Sequence, residues 1–300
     1  MISRDVRLAP MTSWLVGGPA EYYVEPSSES ELEEALRFAH EQKLAVTVLG
    51  GGTNVLISDK GIRGLVIVLK RFNQAKVSEE RGHLCVEALS GFSKSELLKV
   101  FLKAKLAPAL FLAGLPGDVG GGVVMNAGVG EMITPREFVE ITTEIEVWRW
   151  PVSGAFHLEK VRMQASDLQW SYRHCEGWRP GLIAKVWVEW PLEPDATILE
   201  RVREANRVRL QKQPLDKPSC GSVFINPPGS SAGRVIEGAG LKGFSIGGAQ
   251  VSEKHANFIV NLGCATADQI WQVITHVQNT VQAKAGVTLK TEVVRLGDWG

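Results

Sequence analysis

Ala45-Val46-Thr47-Val48-Leu49-Gly50-Gly51-Gly52-Thr53-Asn54 is the stretch on which the fold turns. Its first half is apolar and β-branched, the composition of a buried strand, and it runs directly into three glycines. Consecutive glycines let backbone N–H groups converge on an anion without Cβ obstruction, and Thr53 and Asn54 add side-chain donors. The segment reads equally as a tight connection that needs positive φ. A turn at Lys60-Gly61 leads into a second buried strand at residues 65–69. Upstream, Tyr22-Tyr23-Val24 is a short strand ending before Pro26. Ser30 and Glu33 have capping-box spacing ahead of a helix with Leu32, Ala35, Leu36 and Ala39 on one face.

The pattern then recurs. Residues 84–88 are strand-like, and Ser93 with Glu96 opens a helix that turns Leu97, Val100, Phe101 and Ala104 inward. A second glycine-rich segment follows, Gly114-Leu115-Pro116-Gly117-Asp118-Val119-Gly120-Gly121-Gly122, continued by Asn126-Ala127-Gly128. Residues 114–130 hold seven glycines in seventeen positions, a density that marks close approach of backbone to a ligand. Two α/β lobes dividing near residues 70–74 are expected, with two glycine loops suited to an extended diphosphate cofactor.

Strand alternation continues at 142–150 and 182–190, and Pro191-Leu192-Glu193-Pro194 has linker character. An Arg- and Glu-rich helix is expected over 198–210 and a strand over 256–262. In a long final helix Ile270, Val273, Ile274, Val277 and Val281 form an apolar stripe that reads as core. Gly238-Ala239-Gly240-Leu241-Lys242-Gly243 matches G-x-G-x-x-G. The dinucleotide fingerprint needs a preceding strand and an acidic residue about twenty positions on. Residues 232–237 read as a helix and position 263 is Gly, so a turn after a helix is the better reading.

Three hundred residues with 44% hydrophobic and 22% charged content describe a folded chain of two or three domains. Lys plus Arg equals Asp plus Glu at 33 each, which argues against a partner held by phosphate-backbone attraction, whether nucleic acid or an anionic membrane surface. The four cysteines, at 85, 175, 220 and 264, have neither zinc-site nor disulfide-framework spacing, so no metal is expected and a reducing cytoplasm fits. Met1-Ile2-Ser3-Arg4-Asp5 lacks a signal-peptide apolar run, and the greasy stretch 106–115 is interrupted by Pro108 and too short to span a bilayer.

Isolated chemistry-bearing residues complete the reading. Ser222 lies in Pro218-Ser219-Cys220-Gly221-Ser222-Val223-Phe224-Ile225-Asn226-Pro227, where a hydroxyl on a constrained turn could donate a proton. Val223 and Phe224 follow it, so the G-x-S-x-G nucleophile elbow is absent and an acyl-enzyme serine is disfavoured. Arg173 follows Tyr172 among Trp170 and Trp178, and Glu292 stands in Thr288-Leu289-Lys290-Thr291-Glu292. Taken singly each reads as a turn residue or surface charge. His255, in Ser252-Glu253-Lys254-His255-Ala256-Asn257, is assigned a structural role.

In chain order, Thr12-Ser13-Trp14-Leu15-Val16-Gly17-Gly18-Pro19-Ala20, residues 50–54, Ala113-Gly114-Leu115-Pro116-Gly117, Met125-Asn126-Ala127-Gly128, Tyr172-Arg173, residues 221–227 and Glu292 resemble the UDP-N-acetylenolpyruvoylglucosamine reductases, the MurB family of UDP-N-acetylmuramate dehydrogenases. Gly240-Leu241-Lys242-Gly243 and the His255 motif fit as well, so the resemblance spans nearly the whole chain. It implies an α+β fold: a two-lobed FAD-binding domain of the vanillyl-alcohol-oxidase/PCMH type (residues 1–70 and 71–192) and a C-terminal α/β substrate-binding domain (193–300). It further implies a cytoplasmic flavoprotein of peptidoglycan precursor synthesis. Such an enzyme uses NADPH and non-covalent FAD to reduce the enolpyruvyl ether of UDP-N-acetylglucosamine to UDP-N-acetylmuramate, with no obligate protein partner.

By the same resemblance, Gly50, Gly51, Gly52, Thr53, Asn54, Gly117, Gly120, Gly121, Asn126, Ala127 and Gly128 hold the cofactor, and Tyr172 and Asn226 hold substrate. Hydride from reduced flavin reaches the β-carbon of the enolpyruvyl group. Arg173 and Glu292 serve at its carboxylate, where enolate charge builds, and Ser222 protonates the α-carbon. Glu292 can do so only protonated or sharing a proton, which burial beside a second carboxylate favours.

The chain departs from the family pattern at four places. Ile225 stands where a basic residue is common, and Leu110-Phe111 replaces an acidic residue. Asp118 occupies a usual Thr position, placing an anion near the expected diphosphate, and Val294-Arg295 displaces an Arg by one. The interval of 49 residues from Arg173 to Ser222 implies the shorter family form without a tyrosine-bearing loop over the substrate. Two other readings share the glycine loops. An FAD-linked oxidase would often tether flavin through a His or Cys that neither loop contains, and a non-catalytic nucleotide-binding protein would need no Arg173, Ser222 and Glu292.

Overall fold

The computed structural model of the chain describes residues 1–130 and 133–300. It divides into two compact units: Met1–Ser3, Tyr23–Gly51 and Gly64–Arg207 form one, and Arg4–Tyr22, Gly52–Arg63 and Val208–Gly300 the other. Neither edge of the expected three-part division, at 70/71 or 192/193, coincides with an edge of these units. The second unit recruits two short N-terminal segments in addition to the chain beyond 207.

In the first unit, Val46–Leu49 pairs in parallel with the strand Ile62–Val68, Val46 opposite Leu65 and Leu49 opposite Val68. The helix Glu29–Glu41 packs Leu32, Ala35, Leu36 and Ala39 inward, as its periodicity dictates. Its cap is Ser28, whose side chain accepts from the Glu31 N–H at 3.2 Å, and not Ser30. Ser27 and Glu31 bond to each other just ahead, so the helix starts one turn-half earlier than the Ser30–Glu33 spacing suggests. The helix Lys94–Lys103 does begin at Ser93, which accepts from the Glu96 N–H.

A five-stranded antiparallel sheet follows, in the order Ala75–Glu80, His83–Leu89, Leu182–Pro191, Thr142–Arg149 and Glu159–Gln164. Its apolar face, with Val86, Ala88, Ile145, Val147, Val186 and Val188, packs against Leu97, Phe101, Phe111, Val119, Val123 and Phe138 in one core. The greasy stretch 106–115 is the short helix Pro108–Leu112, which Pro108 opens rather than breaks, because a proline lacks only an N–H that a first helical turn leaves unpaired. The glycine segment expected to be loop contains a further turn of helix, Val119–Val124, capped by Asp118.

The second unit has its own core. Trp14, Val16, Leu56, Val223, Phe224, Ile236, Leu241, Val251 and Ile259 pack on the stripe Ile270, Val273, Ile274, Val277 and Val281 of the helix Ala267–Ala285. That helix has a complete Thr266–Gln269 capping box and ends at Gly286 in the left-handed region, the usual two-ended punctuation. A three-stranded sheet joins Ser245–Ile246, Ala249–Val251 and Ile259–Asn261. The expected strand 256–262 is shortened to its second half because Asn257 and His255 engage in turn hydrogen bonds instead. The strand Val294–Leu296 runs parallel to Val55–Ile57. Gly240 and Gly243, from the rejected dinucleotide match, both have positive φ in the turn after the helix Ala232–Gly238. Among the described residues no helix is long and apolar enough to cross a membrane, and no cluster of His, Cys, Asp and Glu could hold a metal ion.

Candidate functional site

In the first unit the glycine segments are organised by Asp118. Its carboxylate accepts from the Gly121 N–H at 2.8 Å and from the Gly51 N–H, and it lies directly above Gly50, where a Cβ would overlap its oxygens. Glycine at position 50 is therefore a requirement of close approach to a protein carboxylate. The segment 90–94 lies against the loop through three further bonds: Gly120 N–H to Ser90 C=O, Val119 N–H to Phe92 C=O, and Lys94 N–H to Gly117 C=O. The N–H groups of Gly51, Gly120 and Gly121 are thus taken up inside the protein. Asp118 is the anion that the Gly51 and Gly121 amides bind, while the Gly120 N–H goes to the Ser90 carbonyl.

Asp118 and Lys94 are each 5% exposed. Burial raises the Asp118 carboxyl above its usual range, against the pull of the Gly121 and Gly51 amides and of Lys94. Burial likewise lowers the Lys94 ammonium to about 8, opposed by Asp118 and reinforced by the like charge of Arg173. For both groups desolvation outweighs their mutual attraction. The Lys94 Nζ faces the Phe138 ring at 5.4 Å. Nearby, the buried Ser90 hydroxyl has no hydrogen-bond partner among the described residues.

The sequence Met125-Asn126-Ala127-Gly128 serves Arg173. Asn126 donates from Nδ2 to Glu137 Oε2 at 3.1 Å and to Ser171 C=O at 3.0 Å, and its Oδ1 accepts from the Val139 N–H. Arg173 donates to Gly128 C=O at 2.8 Å and pairs with Glu137 at 3.4 Å. It stands in the two-residue turn of the hairpin Gln169–Ser171/His174–Glu176, at φ 57, with its guanidinium 4.5 Å from the Tyr172 ring. A left-handed arginine costs about 1 kcal/mol, and here Gly128, Glu137 and the Tyr172 ring hold it. Its side chain is 11% exposed. Sequence reasoning missed Glu137 and Lys94, and neither stands in a local pattern that marks it out: Glu137 lies between Arg136 and Phe138 with Glu140 close by.

In the second unit Ser222 and Glu292 are neighbours. The Glu292 N–H donates to Val223 C=O at 2.8 Å, Phe224 bridges Thr291, and the Ile225 N–H donates to Lys290 C=O. On its other side the Ser222 segment is clamped by Asn257. The Asn257 C=O accepts from the Val223 N–H, its Oδ1 accepts from the Phe224 N–H, and its Nδ2 donates to Phe224 C=O, all within 2.8–2.9 Å. The Glu292 carboxylate and burial together push the Cys220 thiol well up, with burial the larger cause. Asn54 holds the Glu292 strand: its Nδ2 donates to Glu292 C=O at 3.0 Å and its C=O accepts from the Val294 N–H. Gly52, at φ +62, lies where a Cβ would overlap the Met11 carbonyl, and its C=O accepts from the Ser13 N–H. Asn226 Oδ1 accepts from the Ala232 N–H at 3.0 Å, and Asn257 gives the His255 motif its structural role.

The chain matches two families of domains: an FAD binding domain over residues 20–149, and the C-terminal domain of UDP-N-acetylenolpyruvoylglucosamine reductase over residues 213–296. It is 39% identical to the UDP-N-acetylenolpyruvoylglucosamine reductase of Synechococcus sp. (strain WH7803), covering 99% of this chain and 94% of the relative. The chain belongs to the UDP-N-acetylenolpyruvoylglucosamine reductase family. The Myxococcus xanthus reductase is 42% identical over 97% of this chain and 91% of its own. The crystal structure of the Thermus caldophilus reductase superposes with a TM-score of 0.77 at 30% identity, over 99% of this chain and 98% of that one. The chain is accordingly an FAD-dependent oxidoreductase with a cofactor domain of mixed helix and sheet and a C-terminal domain.

FAD is compatible with the residues present. The Ser90 hydroxyl, without a hydrogen-bond partner among the described residues, lies beside Gly120, and the buried ammonium of Lys94 belongs to the same segment.

Proposed function

We propose that the chain catalyses the NADPH-dependent reduction of UDP-N-acetyl-3-O-(1-carboxyvinyl)glucosamine to UDP-N-acetylmuramate in the cytoplasm, as a step of peptidoglycan precursor synthesis. Family membership over nearly the full length supports the reaction. The observation that carries the residue assignment is the direct backbone pairing of Glu292 with Val223, which sets the carboxyl-bearing strand beside Ser222.

When bound, FAD supplies the hydride that adds to the β-carbon of the enolpyruvyl group. Arg173 stabilises the negative charge that develops on the carboxylate oxygens, a task suited to a guanidinium already oriented by Gly128 and Glu137. Glu292 serves at the same carboxylate, protonated or sharing a proton with it. Ser222 Oγ delivers a proton to the α-carbon, so that one hydride and one proton saturate the double bond. A serine is a weak acid, and rigid placement by Asn257 and the Glu292 strand compensates for that weakness. Tyr172, 47% exposed, and Asn226 contact the sugar nucleotide. Residues 50–54, 117, 120, 121 and 126–128 line the cofactor. Residues 1–70 and 71–192 are the lobes of the cofactor domain and 193–300 the substrate domain, in the shorter family form. No protein partner, nucleic acid or membrane takes part.

Substitution of Ser222 by Ala tests the assignment. NADPH should still bleach the flavin of the Ser222→Ala variant, while reoxidation by the enolpyruvyl substrate should slow at least about a hundredfold, the scale of general acid catalysis. Reoxidation at the wild-type rate would remove Ser222 from the mechanism.

A further inference from the structure

The placement of Asp118 has a consequence for cofactor binding, and the inference rests on the FAD reading above. A carboxylate buried in protein ordinarily needs a cation or several N–H donors. Asp118 has donors from both glycine segments: Gly121 on its own loop and Gly51 on the loop that follows Val46–Leu49. Opposite it lies Gly50, whose missing Cβ leaves room for the carboxyl oxygens. Lys94 provides the counter-charge, and it belongs to the segment that pairs along the glycine loop through Lys94 N–H to Gly117 C=O and Gly120 N–H to Ser90 C=O. The two glycine segments are therefore joined through one side chain, and a third segment closes the charge balance.

We propose that Asp118, with Lys94 as its buried counter-cation, is a positioning residue that clips the glycine segments 50–51 and 117–121 together in the cofactor-free protein, so that FAD binds a surface already formed. Asp118 does this without touching FAD. A loop of this glycine content would otherwise lose much backbone freedom on binding, because glycine has the most to lose. Holding the loop beforehand improves affinity by removing that loss from the binding step.

The test is titration of FAD into apo-protein, followed by flavin fluorescence, together with the melting temperatures of apo- and holoprotein. Asp118→Asn keeps the volume and one acceptor oxygen but presents an amide N–H₂ to a second N–H donor, and should weaken FAD binding at least tenfold. Lys94→Met strands the carboxylate without its cation and should weaken binding comparably. The double variant Lys94→Met/Asp118→Asn removes both charges and should bind within about threefold of Asp118→Asn alone. Such non-additivity marks two groups acting as a unit. Wild-type FAD affinity in Asp118→Asn, with only the melting temperatures lowered, would make the pair merely structural and overturn the proposal. Multiplied single losses in the double variant would overturn it too. Asp118→Asn is nearly isosteric, so the outcome does not hang on a cavity-forming change. Failure of the wild-type protein itself to bind FAD would instead strike the functional reading.

Discussion

Replacing Asn257 by Ala probes how the proton-donating serine is held. The side chain is 3% exposed and makes two hydrogen bonds, both to the backbone of Phe224, itself buried. Alanine leaves the Phe224 N–H and C=O without their partners where water has poor access. Each stranded buried group costs about 1–3 kcal/mol, so the pair should cost roughly 2–6 kcal/mol, with some relief if a water enters the space vacated. Urea unfolding monitored by fluorescence of the second-unit tryptophans should show the midpoint falling with m unchanged. The functional part of the argument is sharper. Phe224 lies two residues from Ser222, and loss of the clamp frees the segment on one side while the Glu292 strand still holds the other. Flavin reduction by NADPH should proceed normally, while reoxidation by substrate should slow tenfold or more, since a small misplacement of a reacting group has a large kinetic effect. A variant less than 1 kcal/mol below wild type, reoxidised at the same rate, would refute the reasoning outright.

Three further outcomes are expected. Lys94 titrates near 8 when folded, against 10.5 when unfolded, so the unfolded chain binds more protons between those values and stability rises with pH there. The difference in unfolding free energy between wild type and Lys94→Met should move by about 2 kcal/mol in favour of wild type from pH 7.5 to 9.5, measured on apo-protein by denaturant titration. Glu137→Gln retains the shape that supports Arg173 but removes its charge partner, and should lower reoxidation by substrate several-fold while NADPH bleaching is unchanged. Cys264 is exposed, whereas Cys175 and Cys220 are buried, with burial pushing the Cys175 thiol up to about 12 and raising the Cys220 thiol well above its usual value. An aromatic disulfide reagent should therefore label Cys264 first and reach Cys175 and Cys220 only on unfolding.

The strands flanking the first glycine loop, the helix opened by Ser93 and the stripe of the last long helix were readable because local pattern and tertiary role agree there. Ser30 misled because two nearby serines compete, and the Ser27–Glu31 interaction selects Ser28 as the cap. The short helix Val119–Val124 was hidden by glycine, which lowers helix propensity yet is tolerated where Gly122 must clear the Phe138 ring. The positions of Arg173, Ser222 and Glu292 could be picked out by motif, but their support could not. Glu137, Lys94 and Asn257 act through contacts 33 to 36 residues distant, or through a buried charge pair, and neither leaves a periodic trace. The role of Asp118 was not legible in the sequence: an anion set near an expected diphosphate accepts from amides of both glycine segments.

The segment Arg4–Tyr22 belongs to a unit whose remaining residues lie mostly beyond 207, and its Trp14 indole N–H donates at 2.7 Å to the carbonyl of Ile259. On the ribosome, Trp14 emerges 245 residues before that acceptor. At about 5–20 residues per second, the tryptophan waits roughly 12–49 s for its partner. Throughout that delay an indole destined for complete enclosure stays available to chaperones. The nascent chain can meanwhile finish the five-stranded sheet, so synthesis itself should impose a sequential order of maturation.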